Sequence, residues 1–259
     1  VGAGPFRVEF TNLPVGYKPT THGSGNGTST QFVGAPASSV NFAINQPCDY
    51  CNSAPQLVEP VFDRGDPEVA SRYPGTVIRW AYDGNQIPTL TTIAERSSVG
   101  SIWGLAHDRN TDTLYSAAFL KRFTGLKEKD PATGASISNP LGAIFKTNGA
   151  TGATQTSSLF FDVSTVPGVN LGTIPTNAAR PVTGTDVEAY NKIGKVGLGD
   201  IDISSDGSTL WTVSLNDKQL LSIPTTNPTA SNVGHYPIPD PGCRVGSGDY
   251  RPFALAYYL

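Results

Sequence analysis

Gly100-Ser101-Ile102-Trp103-Gly104-Leu105-Ala106-His107-Asp108 begins with small residues, runs into an alternating strand, and after a polar turn continues as Asp112-Thr113-Leu114-Tyr115-Ser116-Ala117-Ala118. The pattern returns in Gly197-Leu198-Gly199-Asp200-Ile201-Asp202-Ile203-Ser204, followed by Gly207-Ser208-Thr209-Leu210-Trp211-Thr212-Val213. Its first half returns again in Gly248-Asp249-Tyr250-Arg251-Pro252-Phe253-Ala254-Leu255-Ala256-Tyr257. Small residues, strand, turn and second strand, repeated along a chain, are the cadence of β-propeller blades. The third copy stops at Leu259, so strands from a longer polypeptide or from another chain are expected to complete it.

Working outward, the first blade is predicted to continue through Gly142-Ala143-Ile144-Phe145-Lys146 and Gln155 to Phe161. The second has Leu198 to Ile203 as inner strand, Leu210 to Leu215 as middle strand and Gln219 to Ile223 as third, with Asn216-Asp217-Lys218 as hairpin turn. Thr76 to Trp80 and Pro88 to Ala94 read as a hairpin ahead of the first blade. Residues 75–259 are thus expected to form a partial β-propeller with long insertions at 120–140 and 163–195, loops of a length that often serves contact. The charges of the first insertion, Lys121, Arg122, Lys127 and Lys129, read as a solvated face. Residues 47–74, rich in Pro and Asp, read as an irregular connector. Ahead of them, Phe6 to Phe10, Thr30 to Val33 and Ser39 to Ile44 alternate as strands with one buried face.

Composition agrees with an all-β fold. In 259 residues there are 28 Gly and 21 Pro, and long helical periodicity is hard to find, as expected of strands joined by many turns. Only 15% of residues are charged and the net charge is -3, which argues against a nucleic-acid backbone as partner, since that needs clustered Lys and Arg. No apolar run is long enough to span a bilayer. The chain begins with Val and contains no Met, which leads us to expect a processed or excised product.

Candidate chemistry is sparse. Cys48 and Cys51 form C-x-x-C between Pro47 and Asn52-Ser53-Ala54-Pro55, a context that fits a structural disulfide in an oxidising compartment better than a redox pair opening a helix. Cys243, His22, His107 and His235 are too scattered to complete a zinc site. Asp200, Asp202 and Asp206 form a D-x-D-x-x-x-D-G series that admits calcium, though it lacks the glutamate of an EF-hand loop. The alternative role for an acidic inner-strand residue is to anchor backbone amides of a neighbouring blade. His107-Asp108 has no marked nucleophile and reads as strand end and turn. Trp103, Trp211 and Tyr250 read as core packing. Asn26-Gly27-Thr28 matches a glycosylation sequon.

Phe6-Arg7-Val8-Glu9-Phe10-Thr11-Asn12-Leu13-Pro14-Val15-Gly16-Tyr17, a polar loop and Val40-Asn41-Phe42-Ala43-Ile44-Asn45 resemble the C-terminal end of a B-type domain of the serine-aspartate-repeat, or Cna-B-like, surface proteins of bacteria. The resemblance covers residues 1–46 and implies a partial β-sandwich stalk module. The blade cadence resembles the propellers that follow such modules. The combined expectation is a non-catalytic structural or adhesive protein, secreted or displayed on a bacterial surface. Open strand edges would receive strands of other protein chains, copies of itself included, giving a fibre or sheath. No cofactor is expected beyond calcium. Two other classes compete with this reading. One is a calcium-dependent propeller hydrolase using Asp200, Asp202 and Asp249. The other is a carbohydrate-binding module presenting Tyr190 or Tyr236 to a surface glycan.

Overall fold

A computed structural model describes residues 4–20, 22–47, 55–69, 75–83, 89–180, 185–242 and 250–257. The chain is nearly all β, with five sheets, none closed on itself, and two short helices among the described residues. It divides into two compact units, Val1–Leu57 with Ala81–Ile87, and Val58–Trp80 with Pro88–Leu259.

The first unit holds two two-stranded antiparallel sheets. In one, β1 (Phe6–Glu9) pairs with β3 (Thr30–Val33); in the other, β2 (Lys18–Pro19) pairs with β4 (Ile44–Asn45). The strand expected over Ser39 to Ile44 shrinks to β4, because Ser39 takes a left-handed φ of 58° that breaks extension. Phe10 stacks on Phe42 with ring centres 4.8 Å apart. None of this unit's described residues is buried, so its order rests on strand pairing and this stack.

The second unit carries the core. A three-stranded sheet runs β5 (Gln56–Pro60), β6 (Gly75–Ala81), β7 (Thr91–Glu95) in spatial order. The strand β5 corrects the irregular connector expected there: Gln56-Leu57-Val58-Glu59 is extended before Pro60 ends it. Helix α1 (Arg96–Val99) then leads into a four-stranded meander of β8 (Ile102–Asp108), β9 (Thr113–Ala118), β10 (Ala143–Asn148) and β11 (Thr156–Asp162). After helix α2 (Val187–Tyr190) comes a second, β12 (Leu198–Ile203), β13 (Thr209–Ser214), β14 (Gln219–Pro224) and β15 (Gly234–Pro237).

The two meanders share a local design. The register slips between Ile102 and Leu105 in β8 and between Leu198 and Ile201 in β12, one extra residue at the same place in each first strand. Such bulges add twist. The following turns are equally long, with Asp108 opposite Thr113 and Ser204 N–H donating to Thr209 O at 2.9 Å. Phe119 N–H donates to Ser101 O at 3.0 Å and Leu215 N–H to Gly197 O at 2.9 Å, closing both pairs equivalently. Every residue of β9 is buried, which suits a middle strand covered on both faces. Ile102, Leu120, Leu141, Ile144, Phe145, Leu198, Leu210 and Ile223 are fully enclosed. Burying each of these aliphatic or aromatic side chains contributes ~1.5–3 kcal/mol.

The 120–140 segment is not solvated throughout, although its charges predict a solvated face. Leu120, Leu126, Lys127 and Ile137 are buried, and Lys127 is matched by Glu68 at 2.6 Å, so its charge needs no solvent. The 163–195 segment packs likewise through Val163, Val166, Leu171 and Ala189.

Candidate functional site

The inner strands of the two meanders meet along a seam. In β8 the inward positions are Ile102, Gly104, Ala106 and Asp108, and the small ones let β12 come close. A Cβ on Gly104 would lie 2.7 Å from Ile201 N. Beyond β12 the arrangement repeats with the last described segment. Asp200, at the bulge position equivalent to Gly104, donates its N–H to Phe253 O at 2.9 Å, and a Cβ on Gly199 would lie 2.6 Å from the same oxygen.

The aspartates expected to bear on calcium take definite places here. The Asp200 carboxylate accepts Ile201 N–H at 3.0 Å and the amide of Leu255. Burial raises its pKa, and Asp202 adds repulsion. Asp202 accepts Ile203 N–H at 2.8 Å through Oδ1 and Tyr257 N–H at 2.6 Å through Oδ2. Asp206 stands apart in the β12–β13 turn, where its Oδ1 accepts Ser204 Oγ at 2.6 Å and Ser208 N–H at 2.9 Å. These bonds hold its pKa down to about 2. Asp200 and Asp202 thus reach one segment together, and Asp206 serves a turn. Among the described residues no group of three or more His, Cys, Asp or Glu is placed to hold a metal ion. Cys48, Cys51, Cys243 and Asp249 lie outside the described residues.

His107 pairs with Asp112 at 3.2 Å, while the adjacent Asp108 shapes its own turn by accepting Asn110 N–H at 2.9 Å and the Thr111 hydroxyl at 2.7 Å. Trp103 is not core as expected: 46% of it is exposed, since alternation turns it out where Ile102 and Gly104 turn in. Its ring meets Phe119 and Phe253, each at 5.9 Å, and Lys121 Nζ lies 5.8 Å from its centre. Desolvation brings the Lys121 pKa down to about 8.

A second constellation escaped the sequence reading. The Arg64 guanidinium lies 5.1 Å from the Phe123 ring centre, and that of Arg122 lies 4.6 Å from the same ring and 5.1 Å from the Tyr190 ring. Each such contact is worth ~0.5–1 kcal/mol at an exposed site. Phe123 sits at φ 65°, unusual for a bulky residue, and two sets of bonds hold it there. Its N–H donates to the buried Asp186 at 2.7 Å, and its carbonyl accepts Gly65 N–H at 2.7 Å. Beneath, Arg180 pairs with Asp186 at 3.7 Å and donates to Thr124 O. The only sequence signal was the Arg122-Phe123 pair, because residues near 64, 123 and 190 meet only on folding.

Comparison with known proteins finds likeness to three proteins of the amoeba Dictyostelium discoideum. The chain is 29% identical to Colossin-B over 263 residues, covering 97% of this chain and 6% of that protein. It is 29% identical to Colossin-D over 176 residues, or 64% of this chain and 16% of that protein, and 24% identical to Colossin-A over 240 residues, or 89% and 2%. The chain therefore spans a small fraction of the relatives it matches. No protein-family model matches it, and no solved structure matches it. The relatives are proteins of a eukaryote, which overturns the bacterial placement read from Phe6–Tyr17 and Val40–Asn45. A short alternating strand pattern is shared by many β modules and does not carry a lineage.

Proposed function

We propose, with the likeness to the amoebal colossins as premise, that this chain is a structural segment of an extracellular protein and acts by contact rather than by chemistry. The two meanders are read as successive blades of a propeller-like array, and residues 253–257 as the innermost segment of the next. The first unit is read as part of a β-sandwich stalk. The observation that carries this reading is the repeated seam. Two meanders with the same bulge and turn length meet through their inner strands, and the second receives a further segment at the equivalent position. In this arrangement Asp200 and Asp202 each accept two backbone amides, a holding role. No described helix is long and apolar enough to cross a membrane. The extracellular placement rests on reading Cys48 and Cys51 as a structural disulfide of an oxidising compartment.

Two measurements test the proposal. Sedimentation velocity over a concentration series is expected to show association through strand edges, with other chains or copies of this one. Lactone and ester hydrolysis assayed with and without added calcium is expected to stay at the uncatalysed rate. Calcium-dependent turnover abolished by Asp200→Ala would replace this reading with the hydrolase one.

A further inference from the structure

We propose that the stack of Arg64, Phe123, Arg122 and Tyr190 is a docking surface for an acidic segment of a protein partner. It uses none of the residues of the blade seam, and it stands or falls apart from the reading above.

The argument begins with charge. Three other cations around this region each have a carboxylate: Arg96 has Asp63 at 3.2 Å, Lys127 has Glu68 at 2.6 Å, and Arg180 has Asp186 at 3.7 Å. Among the described residues, Arg64 and Arg122 have none. Arg122 donates once, to Thr185 O at 2.6 Å, and its Nε is buried without any partner. Two like charges gathered over one ring repel each other, a cost that a shared anionic ligand would remove. The protein as a whole is negative, at -3, and Asp66 and Glu188 lie in the same segments as Arg64 and Tyr190, so it is the two guanidiniums without a carboxylate partner, not a net charge, that a carboxylate would meet.

The mounting is rigid. Arg64 is carried on a loop whose neighbouring carbonyls, those of Arg64 and Val69, accept from the buried Arg96 guanidinium. Gly65 N–H and O bond to Phe123 and Gly125 at 2.7 and 2.8 Å. Backbone strain at Phe123 is held in place by the Arg180–Asp186 pair, so the ring that organises both guanidiniums has little freedom. A surface that is ordered before binding loses less entropy on binding.

The exposed rim identifies the partner class. Tyr190 is 64% and Val187 62% exposed, on the helix that borders Arg122. Arginine and tyrosine are enriched in protein-binding hot spots, an exposed aliphatic neighbour adds apolar area, and a guanidinium fork matches a carboxylate with two parallel bonds. A peptide that sets Asp or Glu beside an apolar side chain satisfies both features. A sulfated polysaccharide would satisfy only the charge.

The test uses the whole chain and a fluorescein-labelled peptide of repeating Glu-Tyr-Glu-Glu, followed by anisotropy at low salt. The parent protein is expected to bind. Because Arg64→Glu removes a charge-assisted bond and adds a repelling carboxylate, it is expected to weaken binding about tenfold or more. Lys129→Glu, the same charge change on the exposed part of the 120–140 segment, is expected to leave it within about twofold. Arg64 is exposed, so its replacement leaves the fold intact, which thermal melting verifies. Absence of binding by the parent, an equal loss in both variants, or binding of dextran sulfate in place of the peptide would overturn the proposal.

Discussion

Gly104 and Ile201 stand so close that the first can carry no side chain: a Cβ there would lie 2.7 Å from the Ile201 backbone nitrogen and 2.9 Å from its Cγ2. The seam between the two meanders is therefore backbone against backbone, and its spacing is set by glycine. The atoms in the way belong to a paired strand, which cannot swing aside as a flexible side-chain end would.

Gly104→Ala is accordingly expected to destabilise the protein by ~1–3 kcal/mol, the usual cost of forcing extra volume into a packed interior. Gly25→Ala, with nothing within 4 Å of its would-be Cβ, is the control and should change little. Urea unfolding measures both, followed by tryptophan fluorescence for Gly104→Ala and by far-ultraviolet circular dichroism for Gly25→Ala, since Trp80, Trp103 and Trp211 all lie in the second unit. A Gly104→Ala midpoint equal to that of the parent would mean that the strands separate more easily than this packing implies.

Asp202 holds the segment after Phe253 through the 2.6 Å bond from Tyr257 N–H. Asp202→Ala removes a charge-assisted acceptor worth ~1.5–3 kcal/mol locally. Hydrogen exchange at the Tyr257 amide is expected to accelerate strongly, while amides in β9 and β10 keep their protection. Uniform acceleration across the second unit would show instead that the segment is part of one cooperative core.

The alternation of β8 and β12 was legible in the sequence because period-two patterning survives in a strand with one inward face. Two errors of reading share one physical origin. The strand position of Trp103 predicts a core residue, yet the inward positions belong to Gly104 and Ala106, where the neighbouring strand leaves no room for a ring. Lys127 was assigned to solvent for its charge, yet Glu68, far away in sequence, neutralises it in a buried setting. The fourth strand of the second meander, Gly234-His235-Tyr236-Pro237, has no apolar periodicity of its own and exists because β14 offers it an edge. The Arg64, Arg122 and Tyr190 stack was illegible for the same reason, since it is assembled from three separated segments.

Asp206 gives an acid signature. Its carboxyl is held at about 2, against an ordinary 3.8, by the Ser204 and Ser208 bonds. A carboxyl with a depressed folded-state pKa stabilises the fold above its unfolded value and loses that contribution as pH falls toward the folded one. Stability is therefore expected to drop between about pH 4 and pH 2, with a shallower drop in Asp206→Asn. Urea midpoints across that range test it, and parallel curves for the two proteins would remove Asp206 as a contributor.

Lys121 gives the opposite signature on the alkaline side. Burial beside Trp103 lowers its pKa from 10.5 to about 8, so between these values the folded protein has released a proton that the unfolded chain still holds. Stability linked to this group must rise as pH climbs through that window, and below pH 8 the buried charge opposes folding in full. Lys121→Met keeps the aliphatic stem and removes the charge. It is expected to raise the melting temperature at pH 7 and to flatten the rise between pH 8 and 10.5, both measurable by thermal melts across pH. A lower melting temperature for Lys121→Met at pH 7 would show that the ammonium's attraction to the Trp103 ring outweighs its desolvation.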